Sequence, residues 1–134
     1  MIVVNDAYNA NPASMKSSIR TAREIATLEA RELVLVLGTM FELGDESDAL
    51  HQDVGRSAAE ADPATLLIVG EGARLIERGF ASGSNRATKW VKHALDAEAV
   101  LATLDLSKSV VLVKASNSMG LGPVAGRLAA GASR

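Results

Sequence analysis

The chain has 134 residues, of which 48% are hydrophobic and 22% are charged, a balance typical of one water-soluble globular domain. Its 14 basic and 16 acidic side chains give a net charge of −2, so no basic surface predicts binding to nucleic acid or to an anionic membrane. It has no cysteine, which excludes disulfides, thiolate metal sites and cysteine nucleophiles and fits a reducing compartment.

The sequence opens directly in an apolar run at residues 2–4, with no signal peptide ahead of it. No apolar run approaches the roughly 20 residues that a membrane-spanning helix needs. We therefore expect a cytoplasmic protein without membrane contact. The abrupt start leaves two alternatives open: either the protein begins there, or the chain is a piece of a longer protein.

Strand and helix patterns alternate along the chain. Apolar runs predict strands at residues 2–4, 33–37, 66–69 and 110–113, with a weaker one at 90–91, while helical spacing predicts helices at 15–28, 49–61, 73–80, 96–104 and 123–130. Asp96 is the expected N-cap of the fourth helix, and residues 131–134 are expected to fray. Because the runs are apolar at successive positions, the strands should be buried on both faces.

This alternation predicts one α/β domain over residues 1–134, with a doubly wound, mostly parallel sheet and helices on both faces. Ligands of such domains bind beyond the carboxyl ends of the strands. The loops after the strands are therefore where candidate site residues should be sought.

The first loop, residues 5–12, holds three asparagines, one aspartate and the only tyrosine of the chain. Asp6 there could accept the two hydroxyls of a ribose, and Tyr8 could stack on a base. The alternative is turn and N-cap chemistry before the helix that starts near Pro12, since Asn and Asp are the usual turn residues. Both readings remain open at this point.

The next two loops give weaker signals. Residues 38–48 carry four carboxylates, but their spacing matches no calcium loop, and acidic residues before a helix commonly interact with its dipole, so we predict no metal site. His51 follows and is expected to be a structural donor, whereas His93 is expected at the surface. Residues 69–73 begin like a dinucleotide-binding loop, yet a tight turn explains both glycines.

The fourth loop begins at Lys114, a lysine at the end of a predicted buried strand, followed by two serines and Asn117. Lysine there indicates an anionic ligand, or else a side chain that extends back to solvent. The chain contains no G-x-x-x-x-G-K-[ST] motif, so it cannot hold a triphosphate in the manner of a P-loop. If a nucleotide binds, this chain supplies only part of its site.

Four motifs in order resemble the C-terminal domain of the Mur ligases: residues 5–15, residues 37–44 around Leu-Gly-Thr-Met, His51 with Val54-Gly55, and residues 112–116. The Tyr-Asn-Ala-Asn form of the first motif resembles the branch that joins D-Ala-D-Ala to UDP-MurNAc-tripeptide. Related ligases carry a histidine there instead. The resemblance covers most of the chain.

The resemblance implies a Rossmann-like domain that closes over two upstream partners, an N-terminal domain for the UDP group and a central P-loop ATPase domain. ATP would phosphorylate the tripeptide carboxylate, and the amine of D-Ala-D-Ala would attack the acyl phosphate. The central domain would provide most of the Mg²⁺ ligands. This chain would then carry no catalytic residue and would be inactive alone.

By position in the motifs, the resemblance places Asp6 at the ribose of ATP, with Tyr8 and Asn11 beside the nucleotide. It places acceptor-facing residues in three loops and gives His51 an orienting role; the acceptor-facing residues are Asn9, Thr39, Lys114, Ser116 and Asn117.

The sequence departs from the family pattern at four positions. Thr39 stands where many members have aspartate, Ala115 where glycine is usual, Asn117 where arginine is usual and Gly122 where glutamate is common. An arginine would bind a carboxylate through two hydrogen bonds, so its loss leaves open how the dipeptide terminus is held. The alternatives are a related amide ligase with another acceptor, or a free-standing module that binds a nucleotide or another small ligand.

Overall fold

A computed structural model describes residues 1–132 and contains five strands alternating with five helices. The elements are β1 (Ile2–Asp6), α1 (Pro12–Leu28), β2 (Glu32–Gly38), α2 (Ser47–Glu60), β3 (Thr65–Val69), α3 (Leu75–Ala81), β4 (Thr88–Val91), α4 (Ala94–Ala102), β5 (Ser109–Lys114) and α5 (Leu121–Ala132). All ten predicted elements are present. The helix predicted to fray after residue 130 continues through Ala132, and residues 133–134 lie outside the described part of the chain.

The five strands form one sheet in the order β1-β5-β2-β3-β4, and every pair is parallel. The chain therefore crosses over β5 when it passes from β1 to β2. In the register, Lys114 of β5 is the partner of Asp6 on β1 and of Leu37 on β2. This arrangement confirms the predicted parallel sheet and places the carboxyl ends of all strands at one edge.

Alternate residues of the strands pack on opposite faces of the sheet. Leu33, Leu35 and Leu37 of β2 face α1, α2 and α3, whereas Val34 and Val36 face α4 and α5. Because both faces are covered, the central strands are apolar at successive positions, as their sequence indicated. The fold confirms the predicted doubly wound architecture.

Two glycines bring α2 and α3 into close contact. A Cβ atom on Gly55 would lie 2.1 Å from the carbonyl oxygen of Ile76, and one on Gly79 would lie 1.9 Å from that of Gln52. Only hydrogen atoms fit between these backbones. The pair thus fixes the distance between the two helices.

The predicted N-cap of α4 is wrong. The helix begins at Ala94 with His93 as its N-cap, and Asp96 is the third helical residue. An Asp96 carboxylate oxygen accepts a hydrogen bond of 3.3 Å from the backbone N–H of His93. Aspartate stabilises the helix start from this position as well, because it lies at the positive end of the helix dipole.

Candidate functional site at the carboxyl edge of the sheet

The loops that follow the strands form two neighbouring regions at the carboxyl edge. The first, called here the β1/β5 region, comprises residues 5–11, Ser18 and residues 114–117. The second, called the cleft, has a volume of about 570 Å³ and lies between the loops after β2, β3, β4 and β5. Its lining residues are 39–44, 47, 70–72, 92–94 and 118–119.

An ion pair lies at the centre of the β1/β5 region. The side chain of Lys114 is only 3% exposed, and its ammonium group is 2.9 Å from Oδ2 of Asp6, whose side chain is 42% exposed. Ser18, on α1, donates a hydrogen bond of 2.7 Å to the same oxygen. Lys114 is therefore buried and paired, and it does not extend back to solvent.

Asn11 and Asn5 have structural roles in the first loop. Asn11 is the N-cap of α1: its side-chain oxygen accepts from the backbone N–H of Ser14 at 2.9 Å, and the Ser14 hydroxyl accepts from the backbone N–H of Asn11 at 3.2 Å. Asn5 accepts from the N–H of Ala7 at 3.3 Å and donates to the carbonyl of Gly122. The turn and capping interpretation of these two residues therefore has direct support.

Tyr8 and Asn9 are exposed side chains of the same loop, and the Tyr8 side chain is 78% exposed. The backbone carbonyl of Tyr8 accepts a hydrogen bond of 3.0 Å from the N–H of Asn117. This bond joins the first loop to the fourth. It fixes the loop backbone while leaving the tyrosine ring free to contact a ligand.

Thr39 forms part of the cleft floor and is only 5% exposed. A Cβ atom on Gly70 would lie 2.4 Å from its hydroxyl oxygen, and one on Gly72 would lie 2.5 Å from its methyl group. Gly70 also has φ = +104°, a conformation that disfavours other residues. The two glycines of the third loop thus accommodate Thr39.

His51 holds the second loop from beneath and is fully buried. Its Nε2 accepts a hydrogen bond of 3.0 Å from the N–H of Met40, so Nδ1 must carry the proton that is donated to the carbonyl of Ser47 at 2.7 Å. Desolvation by burial lowers the pKa of His51, although the hydrogen bond to Ser47 and the charge of Asp48 oppose this. The neutral ring fixes the start of the loop to the helix that follows it.

Two features of the cleft and of the loop that supports it were not predicted from the sequence. Glu42 has φ = +62°, and the neighbouring Phe41 side chain is 47% exposed at the cleft rim. Trp90 on β4 donates an indole hydrogen bond of 2.7 Å to the carbonyl of Gly70, while Arg74 lies 4.4 Å from the centre of its ring. Trp90 thereby holds the third loop from the edge of the sheet.

The structure divides the predicted acceptor residues between the two regions. Thr39 lies in the cleft, whereas Asn9, Lys114, Ser116 and Asn117 belong to the β1/β5 region. Ser118 and Met119, directly after Asn117, line the cleft. The fourth loop therefore joins the two regions.

The cleft carries charges of both signs: Glu42 and Glu71 on the loops after β2 and β3, and Lys92 at the end of β4. Among residues 1–132, no group of three His, Asp or Glu side chains is placed to hold a metal ion. The cleft therefore presents charges of both signs to whatever occupies it.

The parallel sheet with helices on both faces defines a Rossmann-like α/β domain, and comparison with known proteins assigns its family. The chain belongs to the Mur ligase family, because the profile of the Mur ligase, glutamate ligase domain matches residues 1–117. This match confirms the family resemblance predicted from the four sequence motifs.

Several relatives carry the name of one branch of that family, UDP-N-acetylmuramoyl-tripeptide–D-alanyl-D-alanine ligase. The chain is 37% identical to the enzyme of Mycobacterium tuberculosis (strain CDC 1551 / Oshkosh), over 96% of the chain and 28% of the relative. It is 32% identical to that of Escherichia coli (strain K12), over 90% of the chain and 25% of the relative. The chain therefore spans about a quarter of the length of these relatives.

Solved structures give the same picture. MurF from Acinetobacter baumannii superposes with a TM-score of 0.76 at 28% identity, over 94% of this chain and 27% of that one. MurF ligase from Thermotoga maritima in complex with ADP shares the fold. It superposes with a TM-score of 0.72 at 24% identity, over 91% of this chain and 26% of that one. The Rossmann-like architecture predicted from the sequence is confirmed.

Proposed function

We propose that the chain is the C-terminal domain of an ATP-dependent ligase that joins D-Ala-D-Ala to UDP-MurNAc-tripeptide in peptidoglycan precursor synthesis. The observation that carries the proposal is the division of the carboxyl edge into two neighbouring regions, in a chain whose relatives are named for this reaction. The β1/β5 region would contact the nucleotide, and the cleft would receive the dipeptide.

The proposed reaction activates a carboxylate by converting it to a better acyl donor. The tripeptide carboxylate attacks the γ-phosphorus of ATP, which releases ADP and forms an acyl phosphate. The amine of D-Ala-D-Ala then attacks the acyl carbon, so that an amide forms and inorganic phosphate leaves. This domain contributes by positioning two reactants and by excluding water when it closes over the upstream domains.

Magnesium fits poorly to the residues of this chain. No cluster of metal ligands occurs in residues 1–132, and the carboxylate of Asp6 is already paired with Lys114. The ion neutralises phosphate charge in phosphoryl transfer and would be held by the central P-loop domain.

On the nucleotide side, Asp6 and Tyr8 are the proposed contacts. Asp6 combines a half-exposed carboxylate with a fixed position at the end of β1, which suits the hydroxyls of a ribose. Tyr8 offers an exposed ring on a loop whose backbone is held by Asn117. Asn11 would act indirectly, by fixing the start of α1 beneath the nucleotide.

On the acceptor side, the cleft has a size typical of small-molecule sites, which are about 300–1,000 Å³. A zwitterionic dipeptide needs a carboxylate partner and an ammonium partner, and the cleft provides Lys92 for the first and Glu42 or Glu71 for the second. Thr39 forms the floor beneath the dipeptide, and Ser118 and Met119 line the cleft from the fourth loop. Ser116 and Asn117 belong to the neighbouring β1/β5 region.

No helix within residues 1–132 is long and apolar enough to cross a membrane. Because the proposed reaction consumes ATP, we propose that the ligase acts in the cytoplasm. Its partners there would be the N-terminal and central domains of the same enzyme.

A chimera tests this function. The chain would replace the matching region of the Mycobacterium tuberculosis relative, and phosphate release would be measured with UDP-MurNAc-tripeptide and ATP. Turnover should require D-Ala-D-Ala and should not occur with the isolated chain. If a folded chimera releases phosphate with another amine but not with D-Ala-D-Ala, the chain belongs to a related amide ligase that uses a different acceptor. Turnover by the isolated chain, or a folded chimera without any turnover, would contradict the proposal.

A further inference from the structure

Lys114 is the one residue among the lysines, arginines, aspartates and glutamates of residues 1–132 whose side chain is buried. Burial of an ammonium group is unfavourable unless an opposite charge and hydrogen bonds compensate it. Asp6 supplies that charge at 2.9 Å, from the residue that is the register partner of Lys114 on the adjacent strand. The pair is thus built into the sheet itself.

Ser18 reaches the same carboxylate from α1. Its hydroxyl donates to Oδ2 of Asp6 at 2.7 Å, and the ammonium of Lys114 contacts that oxygen as well. The other carboxylate oxygen, Oδ1, has no hydrogen-bond partner within the described chain. Two donors on one oxygen fix the rotation of the carboxylate, and a carboxylate has further acceptor sites on the second oxygen.

We propose that Lys114 and Ser18 are positioning residues, which hold Asp6 through Oδ2 so that Oδ1 accepts hydrogen bonds from the vicinal hydroxyls of a ribose. This inference rests on the proposed nucleotide function. It assigns Lys114 to the nucleotide side and not to the dipeptide carboxylate, because a lysine that turned to the acceptor would leave Asp6 unpaired.

The alternative is an ion pair that stabilises the sheet and has no effect on ligand recognition. The positioning role and the purely structural role differ in one measurable quantity, the preference of the protein for a nucleotide with ribose hydroxyls over one without them. A purely structural pair would change the stability of the protein without changing that preference.

The experiment is an NMR titration of the 134-residue chain with ATP and with 2′,3′-dideoxyATP. The variants are Ser18→Ala and Lys114→Met, with Ser18→Thr as the conservative replacement that retains a hydroxyl. Matched controls are Ser17→Ala, at the neighbouring position of α1, and Lys89→Met, an exposed lysine on the edge strand β4. Thermal melting of each variant shows that it folds.

The unaltered chain should prefer ATP about 10-fold, the difference expected for hydrogen bonds to a charged acceptor. Ser18→Ala and Lys114→Met should reduce this preference to about 3-fold or less while the affinity for dideoxyATP stays the same. Ser18→Thr and both controls should retain it. If Lys114→Met does not fold, the comparison of Ser18→Ala with Ser18→Thr decides.

Two results would overturn the inference, and they are distinguishable. If the unaltered chain prefers ATP and the folded variants keep that preference, the positioning role is refuted while the nucleotide function stands. If the unaltered chain binds neither nucleotide near Asp6, or binds both equally, the role of Asp6 is refuted together with the nucleotide part of the proposed function.

Discussion

His51 provides the sharpest test of how the cleft is built. Replacing it with alanine removes the acceptor of the buried Met40 N–H and the donor to the Ser47 carbonyl. An unsatisfied buried N–H alone costs about 1–3 kcal/mol. Because the ring is fully buried, its removal also leaves a void, and the free energy of unfolding should fall by about 3–5 kcal/mol in total.

This loss should lower the melting temperature of the chain by roughly 10–20 °C, measured by circular dichroism at pH 7.5. The matched control is His93→Asn, which changes the other histidine at an exposed position and keeps a residue suited to a helix N-cap. It should alter stability by no more than about 0.5 kcal/mol. Equal effects of the two substitutions would refute the role given to His51.

The pH dependence of stability tests the same residue independently. Burial lowers the pKa of His51 in the folded protein, so below pH 6.5 the unfolded chain binds a proton that the folded protein does not. The contribution of His51 is therefore present above pH 6.5 and is lost as the pH falls from there towards the lower folded-state pKa. Between pH 7.5 and 5.5 the stability difference from His51→Ala should shrink by at most about 1.4 kcal/mol. A difference that grows as the pH falls would contradict the neutral tautomer.

Two further substitutions test the helix contacts and the first loop. In urea unfolding, Gly79→Ala should destabilise the chain by about 3 kcal/mol, because its Cβ would meet the Gln52 carbonyl. The control Gly126→Ala, in an open part of α5, should stabilise the chain by about 0.5–1 kcal/mol. Asn11→Ala should lose about 1 kcal/mol of stability while Asn11→Asp retains the cap; equal losses in both would contradict the capping role of Asn11.

The sequence was sufficient to predict the architecture because its strongest signals are local. Runs such as residues 33–37 and 110–113 are apolar at successive positions, which only a sheet covered on both faces accommodates, and both are central strands. The error at Asp96 arose because aspartate stabilises a helix start both as the N-cap and from the third position. The choice between these depends on the backbone conformation of His93, which no local pattern specifies.

The sequence pointed to candidate residues in the loops after the strands and missed residues elsewhere that hold those loops in place. Ser18 is 12 residues from Asp6 and Trp90 is 20 residues from Gly70, and both contacts exist only after the helices and strands have packed.

Lys114 illustrates why residue type and position alone cannot assign a role. A lysine at the end of a buried strand predicted an anionic ligand or a side chain extending to solvent. The structure pairs it with Asp6, which the order β1-β5-β2 places beside it, so the side chain does not extend to solvent. That neighbour relation follows from the crossover of the chain and is not encoded in the local sequence around residue 114.

The most direct test of the account is an amide chemical-shift map of the isotopically labelled chain with ATP and, separately, with D-Ala-D-Ala. ATP should shift the resonances of residues 5–11 and 114–117, and the dipeptide should shift those of residues 39–44, 70–72 and 92–94. Both ligands shifting one region only, or shifts confined to the opposite edge of the sheet, would contradict the division of the carboxyl edge into a nucleotide side and an acceptor side.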